Sequence, residues 1–439
     1  PLYSMGWNNV KYDFHDFLNK IRQELIIDSG TLSAHSIHAF ADIPDVDITL
    51  QIGKSHAKGY LSDMKIERLR FTEPLSGIKG DVSAILTGIP DIQNLLTDAK
   101  INNLTFTTKG LQRLLKHIGI KAKLSTIAPT RVFSFSAKAK GPLNRLDVTG
   151  NLGSRIGRAK FRMAIRDLSN PKRPTYLKGT LNTRNLGLGE LLSQKALGDC
   201  TAETGFRATL GKKGPSIILD SLLVDKLGVN GYEYTGIRAQ GKYSAEALEG
   251  RLICVDPNLN LMLQGNSKTG GAFNFSGSIA YADLHAINID RRGKSRISGS
   301  IDADFHNRES GILSIHDLTV ENELGRKELG DISMEAIASG DNYMLNLRSS
   351  FANGEYFGNR NIFELFNSLQ DISIKRELSA LYPAGKAKIR DKDMRCDLSL
   401  SLGDTRDLLS YLLPGLYVAD STALMLEVGE YGGLSANLN

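Results

Sequence analysis

The stretch GVNGYEYTGIRAQGKY, residues 228–243, carries the pattern that decides the fold class. From Ile237 onward every second residue is apolar or glycine, and the residues between them are polar: Arg238, Gln240 and Lys242. Successive side chains of a β-strand point to opposite faces of the sheet. The stretch therefore predicts a strand with one apolar face and one basic, solvated face, and it raises the question of what covers the apolar face.

The same alternation recurs along most of the chain. It is clearest in three stretches: RAKFRMAIR (158–166), RISGSIDADF (296–305) and MRCDLSLSL (394–402). Doubly covered parallel sheets have continuous apolar runs instead, so strict alternation favours strands with one solvated face. We predict an elongated all-β fold of stacked amphipathic strands with a few short helices.

Helical spacing of apolar residues is limited to short segments. It predicts helices near 110–118, 188–196, 361–370 and 404–413, with 12–25 as a possible fifth. These helices could cover only a small part of the apolar sheet surface. We expect one continuous structure over residues 1–439, in approximate sections 1–120, 121–340 and 341–439. Because the chain begins and ends within strand patterns, we also expect it to be part of a longer protein.

Composition argues against several function classes. The 54 Lys and Arg residues against 48 Asp and Glu give a mild net charge of +6, and aromatic residues make up only 7%, so nucleic-acid binding is not expected. No apolar run approaches 18 residues, so no transmembrane helix is expected. The three cysteines are too far apart for a disulfide or metal framework, and Cys254 and Cys396 are expected to be small buried residues on apolar faces.

A search for chemistry finds no catalytic or phosphate-binding motif, so we expect no enzymatic activity, no cofactor and no metal. Asp302, Asp304 and His306 share one strand face, and His35 and His38 are close in sequence. Residues two apart in a strand cannot chelate a metal without help from a partner strand, so a solvated polar face is favoured over a metal site for these residues.

A small motif recurs on the apolar faces: apolar, any residue, glycine, any residue, apolar. It occurs at 78–82, 139–143, 148–152, 177–181, 239–243, 248–252, 275–279 and 297–301. Glycine weakens the interior of a strand, so its repetition indicates a purpose. Two interpretations stay open: the glycines make room for something close, or they are curvature points of a coiled sheet.

A basic stripe is the strongest local charge feature. It comprises Arg158, Lys160, Arg162 and Arg166, followed by Lys172 and Arg173. The simpler interpretation is an ordinary solvated face, or edge residues that deter aggregation. The alternative is contact with an anionic surface or partner.

Several stretches in order resemble the TamB family of AsmA-like proteins, in its Bacteroidota form. They are residues 28–71, TGIPDIQNLLTDAKINNLTFTTKGLQRLL (87–115), 176–198, VNGYEYTGIRAQGKY (229–243), 250–265, 342–358 and 413–428. The resemblance extends over nearly the whole chain. None of these stretches is a catalytic motif, so its specificity lies in their order.

The resemblance implies an open β-groove, or β-taco, that spans the periplasm and carries phospholipid between the inner and outer membranes in support of outer-membrane biogenesis. It implies an inner-membrane anchor in a segment absent from this chain, and a partner of the outer-membrane assembly type, TamA or a relative. On this basis the expected groove-lining residues are Ile78, Val82, Leu177, Leu181, Leu248, Leu252, Phe275, Ile279, Ile297, Ile301, Phe305, Leu398 and Leu400.

Two other interpretations stay open at this stage. The first is a β-solenoid or β-sandwich adhesin, or binding module, whose apolar faces pack against each other in a closed core. The second is a β-helical enzyme acting on polysaccharides, which should bring acidic side chains or a metal set together. An adhesin of this kind would leave no open apolar trough, so the exposure of the apolar faces separates it from a lipid conduit.

Overall fold

The structure, a computed structural model, describes most of the chain. The described residues are 2–5, 14–33, 35, 48–89, 91, 95–117, 129–168, 173–211, 214–290, 293–365, 393–406, 408–409, 418–419, 421–429 and 434–438. Strands make up 70% of the structure and helices 7%, and the antiparallel sheet is open. The prediction of an all-β open sheet is therefore confirmed.

The chain divides into two compact units, and the first comprises Pro1–Ala245. Its strands are β1 Leu2–Met5, β2 Gln23–Ile27, β3 Gly30–Ser33, β4 Thr49–Ile52, β5 Ser55–Tyr60, β6 Asp63–Glu73, β7 Ile78–Thr87, β8 Leu96–Thr107, β9 Val132–Pro142, β10 Arg145–Ser154, β11 Gly157–Arg166, β12 Thr175–Gly187, β13 Leu197–Gly211, β14 Gly214–Val229, β15 Tyr232–Tyr234 and β16 Ile237–Tyr243.

Strand pairing in the first unit is antiparallel and mostly sequential. From β5 to β14 each strand pairs with the next along the chain. At one end β1 pairs with β2 and β2 with β5, while β3 pairs with β4 and β4 with β6. At the other end β14 pairs with both β15 and β16.

The second unit comprises Glu246–Asn439, and its strands form a simple antiparallel meander in which each pairs with the next. They are β17 Ala247–Asp256, β18 Leu259–Lys268, β19 Phe273–Asp283, β20 Arg296–Phe305, β21 Gly311–Asn322, β22 Gly325–Ser339, β23 Asn342–Ser349, β24 Ala352–Gly358, β25 Cys396–Leu402, β26 Ala423–Val428 and β27 Leu434–Leu438.

The turn inside the opening stretch shows how sequence sets this topology. Asn230 and Gly231 connect β14 to β15 with φ angles of 51° and 81°, and Val229 pairs directly with Tyr232. A two-residue hairpin turn with positive φ at both positions suits the right-handed twist of the strands, and Asn-Gly is the sequence that accepts it most readily. The chain reverses here and lays Ile237 beside Val224 of β14.

Helices are short, and the predicted ones are partly reproduced. The described helices are α1 Phe14–Asn19, α2 Thr108–His117 and α3 Leu188–Leu192. The helix predicted near 110–118 corresponds to α2. The one predicted at 188–196 is shorter, because Ser193 adopts a left-handed φ of 52° that ends the helix. Of the predicted segment 12–25, residues 12 and 13 lie outside the described part; among the others only those of α1 are helical, and β2 begins at Gln23.

The two remaining predicted helices are only partly within the described residues. Residues 362–365 are helical, residue 361 is described but not helical, and residues 366–370 lie outside the described part. Of the predicted 404–413 helix, residues 406 and 408–409 are helical and residues 407 and 410–413 lie outside it. Within the described ranges, no helix has the length and apolarity needed to cross a membrane.

Candidate functional site

In each of the two units, one face of the strands is apolar across many neighbouring strands, and we call it the apolar face. In the first unit its central row follows the strand register from β6 to β14 and ends on β16. The row is Leu69, Val82, Ile101, Ala137, Gly150, Phe161, Leu181, Thr204, Leu222 and Ala239. Nine of its ten members are apolar or glycine, so antiparallel pairing turns the alternation of single strands into a continuous surface.

The second unit carries equivalent rows. One runs from β18 to β27: Gly265, Phe275, Ala303, Leu313, Met334, Leu347, Gly354, Leu400, Leu424 and Leu438. Beside it runs a shorter row from β17 to β22: Leu252, Leu263, Gly277, Ile301, Ile315 and Ile332. Neither row contains a polar residue, so the apolar face is at its most uniform here.

Glycines on this face make room for large side chains of neighbouring strands. Gly150 of β10 pairs with Phe161 of β11, and a β-carbon at Gly150 would overlap the Phe161 ring. The rings of Phe161 and Phe135 of β9 lie 5.9 Å apart and nearly parallel, although β10 separates their strands. Gly150 therefore allows two aromatic rings to meet above the strand between them.

Similar close approaches recur at other glycines of the motif. A β-carbon at Gly80 would overlap the ring of Phe71, and one at Gly277 would overlap the Leu263 side chain. Gly299 differs: its φ is 153°, and the pairing register shifts beside it. Of the two interpretations of the motif, making room applies at Gly80, Gly150 and Gly277, and a bulge applies at Gly299.

Phenyl rings add a stacked layer in the second unit. The rings of Phe273 and Phe305, which pair across β19 and β20, have centroids 4.7 Å apart and an interplanar angle of 6°. The Phe273 and Phe275 rings are 6.5 Å apart at 10°. Three large aromatic side chains thus lie nearly parallel to one another on this part of the apolar face.

Protein covers the ends of the apolar face more completely than its middle. In the second unit a small buried cluster comprises Tyr356, Leu365, Met394, Cys396 and Val428. In the first unit Phe133 and Ile156 form another, against which Leu191 of α3 packs. The central rows are instead mostly half-buried, as the partial exposure of Leu181, Phe161 and Ile301 illustrates.

The structure places the thirteen predicted lining residues as follows. Eleven are half-buried: Val82, Leu177, Leu181, Leu252, Phe275, Ile279, Ile297, Ile301, Phe305, Leu398 and Leu400. Ile78 is buried at the start of β7, with 4% of its surface exposed, and Leu248 is 53% exposed near the start of β17. Their role as lining residues stays a prediction.

Two of these residues lie close to protein-covered regions. Ile297 pairs with Ala282 and Val320, which are 2% and 4% exposed. Leu398 packs against the buried cluster around Tyr356. Ile301 and Leu400, which belong to the central rows, are half-buried and lie outside these clusters.

Selection through the glycine motif missed residues that the pairing register brings into the same rows. They include Leu222, Leu263, Leu313, Ile315, Met334 and Leu347. Alternation within each strand was the available signal. Which alternating residue continues which row depends on register, and several bulges shift it, as between Gly205 and Phe206.

The cysteines are free and buried, as predicted for Cys254 and Cys396. Burial, with a smaller contribution from the negative charge of Asp256, raises the pKa of the Cys254 thiol to about 11. Burial likewise raises the pKa of Cys396 to about 11. Both thiols are therefore protonated and unreactive at neutral pH.

Candidate metal residues are dispersed. Among the described residues, no group of three His, Cys, Asp or Glu side chains is placed to hold a metal ion. Asp302 lies with its carboxylate 3.8 Å from His316 Nε2, and Asp304 pairs with Asn274 and Ile312 on neighbouring strands. His38 lies outside the described residues.

The basic stripe is exposed on the opposite face, which we call the polar face. Arg158, Lys160, Arg162 and Arg166 are all exposed, while Phe161 and Met163 between them lie on the apolar face.

Comparison with models of known protein families, with curated proteins and with solved structures finds no match to this chain.

Proposed function

We propose that the protein is a lipid conduit or scaffold whose apolar face carries the acyl chains of phospholipids. The observation that carries this proposal is the partial exposure of the central rows, in which strand after strand presents leucine, isoleucine and phenylalanine on the same face. Contiguous exposed apolar surface on a protein generally marks a site for an apolar ligand, a membrane or a partner.

The energetics favour an acyl chain as the occupant. Transfer of one methylene group from water to an apolar surface is worth about 0.8 kcal/mol, so a 16-carbon chain gains roughly 12 kcal/mol. A chain on a continuous apolar row keeps most of this free energy as it moves from strand to strand. The headgroup can remain in water at the open side, and no bond has to be made or broken.

The cellular setting is part of the proposal through the TamB resemblance alone. The protein would lie in the periplasm, anchored in the inner membrane by a segment outside this chain. It would carry phospholipid between the two membranes and act with an outer-membrane assembly protein, TamA or a relative. It would need no catalytic residue and no cofactor.

A self-packed adhesin accounts for the exposure less well. Such a core would bury the central rows, whereas the buried clusters among the described residues are small and lie near strand ends. An enzyme acting on polysaccharides would bring acidic groups together, and the carboxylates on the polar face, such as Asp81 and Asp220, are instead paired with arginines.

The experiment introduces a charge into a central row. In the folded Ile301→Asp variant the carboxylate would interrupt the row formed by Gly277, Ile301 and Ile315. A phospholipid with a photoreactive acyl chain should label wild-type protein, and labelling should fall severalfold in the variant. The matched control is Ser300→Asp, which places the same charge on the polar face of the same strand between Ser278 and His316.

Ser300→Asp should label like wild type. If Ile301→Asp folds and labels normally, Ile301 does not line a lipid path. If neither the wild-type protein nor either variant labels above a water-soluble protein of equal size, the conduit proposal is wrong.

A further inference from the structure

The charge of the molecule is divided unequally between the two units. Residues 1–245 contain 35 Lys and Arg against 21 Asp and Glu, a net charge of +14. Residues 246–439 contain 19 against 27, a net charge of −8. The overall charge of +6, which suggests a mild balance, therefore conceals a strongly basic first unit.

Most of this excess lies on four strands. Residues 132–187, from β9 to the end of β12, contain twelve Lys and Arg but only Asp147 and Asp167 as acids. Together with Lys100 of β8, the exposed basic residues of these strands form what we call the cationic face: Lys100, Lys138, Lys140, Arg145, Arg158, Lys160, Arg162, Arg166, Lys178 and Arg184. It lies on the side of the strands opposite the apolar face.

Several basic residues elsewhere in the first unit are paired with carboxylates. Arg68 and Arg70 share Asp81 at 2.6 and 3.2 Å, and Arg207 contacts Asp220 at 2.5 Å. Among the described residues, Lys140, whose Nζ lies 3.7 Å from Asp98, is the one member of the cationic face with a carboxylate oxygen within 4.0 Å of a basic nitrogen. The chain thus neutralises several basic residues on flanking strands and leaves most of the cationic face unneutralised.

The register places like charges directly opposite each other within this face. Lys100 pairs with Lys138, Arg145 with Arg166, and Arg158 with Arg184. Like charges at directly opposed positions of a sheet destabilise it. Three such pairs in five strands weaken the isolated sheet, and a bound anionic partner would remove the repulsion.

The residues between the basic side chains narrow the class of partner. They are mainly Thr149, Asn151, Thr180 and Asn182, with Tyr176 opposite Arg166 near one end. Protein interfaces centre on aromatic or apolar anchors, and single-stranded nucleic acids bind on stacking aromatic rings. The centre of the cationic face offers neither, so its partner must bind through an array of negative charges.

We propose that the cationic face docks on the surface of a bilayer that contains anionic phospholipids. Phosphate headgroups supply the array of charges, and each Lys or Arg near such a surface contributes about 1 kcal/mol. Lipid is favoured over a nucleic-acid duplex because the same strands carry the apolar face on their other side, so that phospholipid fits both surfaces. This choice between polyanions rests on the function proposed above, whereas the need for an anionic partner does not.

The test is vesicle binding by the whole chain. Vesicles of phosphatidylglycerol and phosphatidylcholine should co-sediment with the protein at low salt, and vesicles of phosphatidylcholine alone should not. The triple variant Arg158→Gln, Lys160→Gln, Arg162→Gln should bind the anionic vesicles on the order of 100-fold more weakly. The matched control removes three exposed charges from the second unit: Arg251→Gln, Lys268→Gln and Arg348→Gln.

The control variant should bind like wild type, and raised salt should release the wild-type protein, which provides a readout even if the triple variant fails to fold. Equal binding to neutral vesicles, full binding by a folded triple variant, or an equal loss in the control would overturn the proposal. So would tighter binding to duplex DNA than to anionic vesicles. Ile301→Asp separates the two proposals, because it should lose acyl-chain labelling and keep vesicle binding.

Discussion

At the scale of single residues, Gly150 tests the packing of the apolar face. Strand propensity alone predicts that Gly150→Ala stabilises β10, since glycine is unfavourable within a strand. The structure predicts the opposite, because the new β-carbon would overlap the Phe161 ring and lie 2.9 Å from the Ser136 carbonyl oxygen. We expect a loss of about 1–3 kcal/mol in the free energy of unfolding, measured by urea denaturation.

Gly205→Ala is the matched control for this substitution. Its β-carbon would meet only Ser221 Oγ at 3.4 Å and Asp220 Cβ at 4.0 Å, which are ordinary contacts. We expect it to be neutral or stabilising by about 0.5–1 kcal/mol. If both substitutions stabilise the protein equally, the Phe161 ring does not occupy the space above Gly150.

The cysteines give a second prediction at this scale. Cys254 and Cys396 are 2% and 4% exposed, and burial raises the pKa of each to about 11. At pH 8 a thiol reagent should therefore modify neither residue in the folded protein within minutes, and all three cysteines should react after unfolding in urea. Rapid modification of either peptide, seen by mass spectrometry, would show that its strand faces water.

At the scale of elements, three basic side chains on β5 and β6 contact one carboxylate, that of Glu67. Glu67 Oε1 lies 2.8 Å from Lys58 Nζ and 3.3 Å from Lys65 Nζ, and Glu67 Oε2 lies 2.9 Å from His56 Nδ1. Hydrogen bonds from Lys58 and then Lys65 lower the pKa of Glu67 from 4.5 to about 2. Because the pKa of Glu67 is lowered in the folded protein, the contribution of its carboxylate to the stability of the fold is fully present above about pH 4.5 and is lost as the pH falls towards 2.

Glu67→Gln should therefore be less stable than wild type at pH 7 and equally stable near pH 2. The measurement is the melting temperature of both proteins across this range, followed by circular dichroism. Since the carboxylate is partly exposed, the difference should be small and should shrink further in high salt. A difference between the two proteins that stays constant with pH would contradict the role of this charge.

Much of the element structure was predictable from the chain, and the exceptions have physical causes. Alternation identified strands such as β11 and β20 because period two is set by the pleat and needs no tertiary information. Helix α3 was predicted too long, since the left-handed turn at Ser193 has no side-chain signature. Residues of the central rows such as Leu222 were missed because register depends on bulges, which are tertiary features.

At the scale of the whole molecule, the net charge of the chain hides how its charge is distributed. A net charge of +6 over the chain gave no sign of +14 in one unit and −8 in the other. The basic stripe on β11 was visible from the sequence, but its extension to Lys138, Lys178 and Arg184 required the pairing of four strands. The extent of the charged surface, like that of the apolar surface, therefore follows from the pairing of the strands and not from any single strand.

The last prediction concerns how burial is distributed through the second unit. Leu365 is fully buried against Tyr356, Met394, Cys396 and Val428, whereas Ile301 is only half-buried in a central row. Leu365→Asp would bury an unpaired carboxylate, which should cost several kcal/mol or prevent folding of this end of the unit. Ile301→Asp should cost much less, because its carboxylate can reach water at the open side of the face.

Urea denaturation of the two variants, with Leu365→Ala as a control for lost packing alone, measures this difference. Leu365→Ala should cost about 2–5 kcal/mol through the cavity it leaves, and Leu365→Asp should cost more. If Ile301→Asp destabilises the protein as much as Leu365→Asp does, the central rows are packed against protein in solution. A single closed core would then replace the open apolar face, and an adhesin-like packing would become the better account of the same strands.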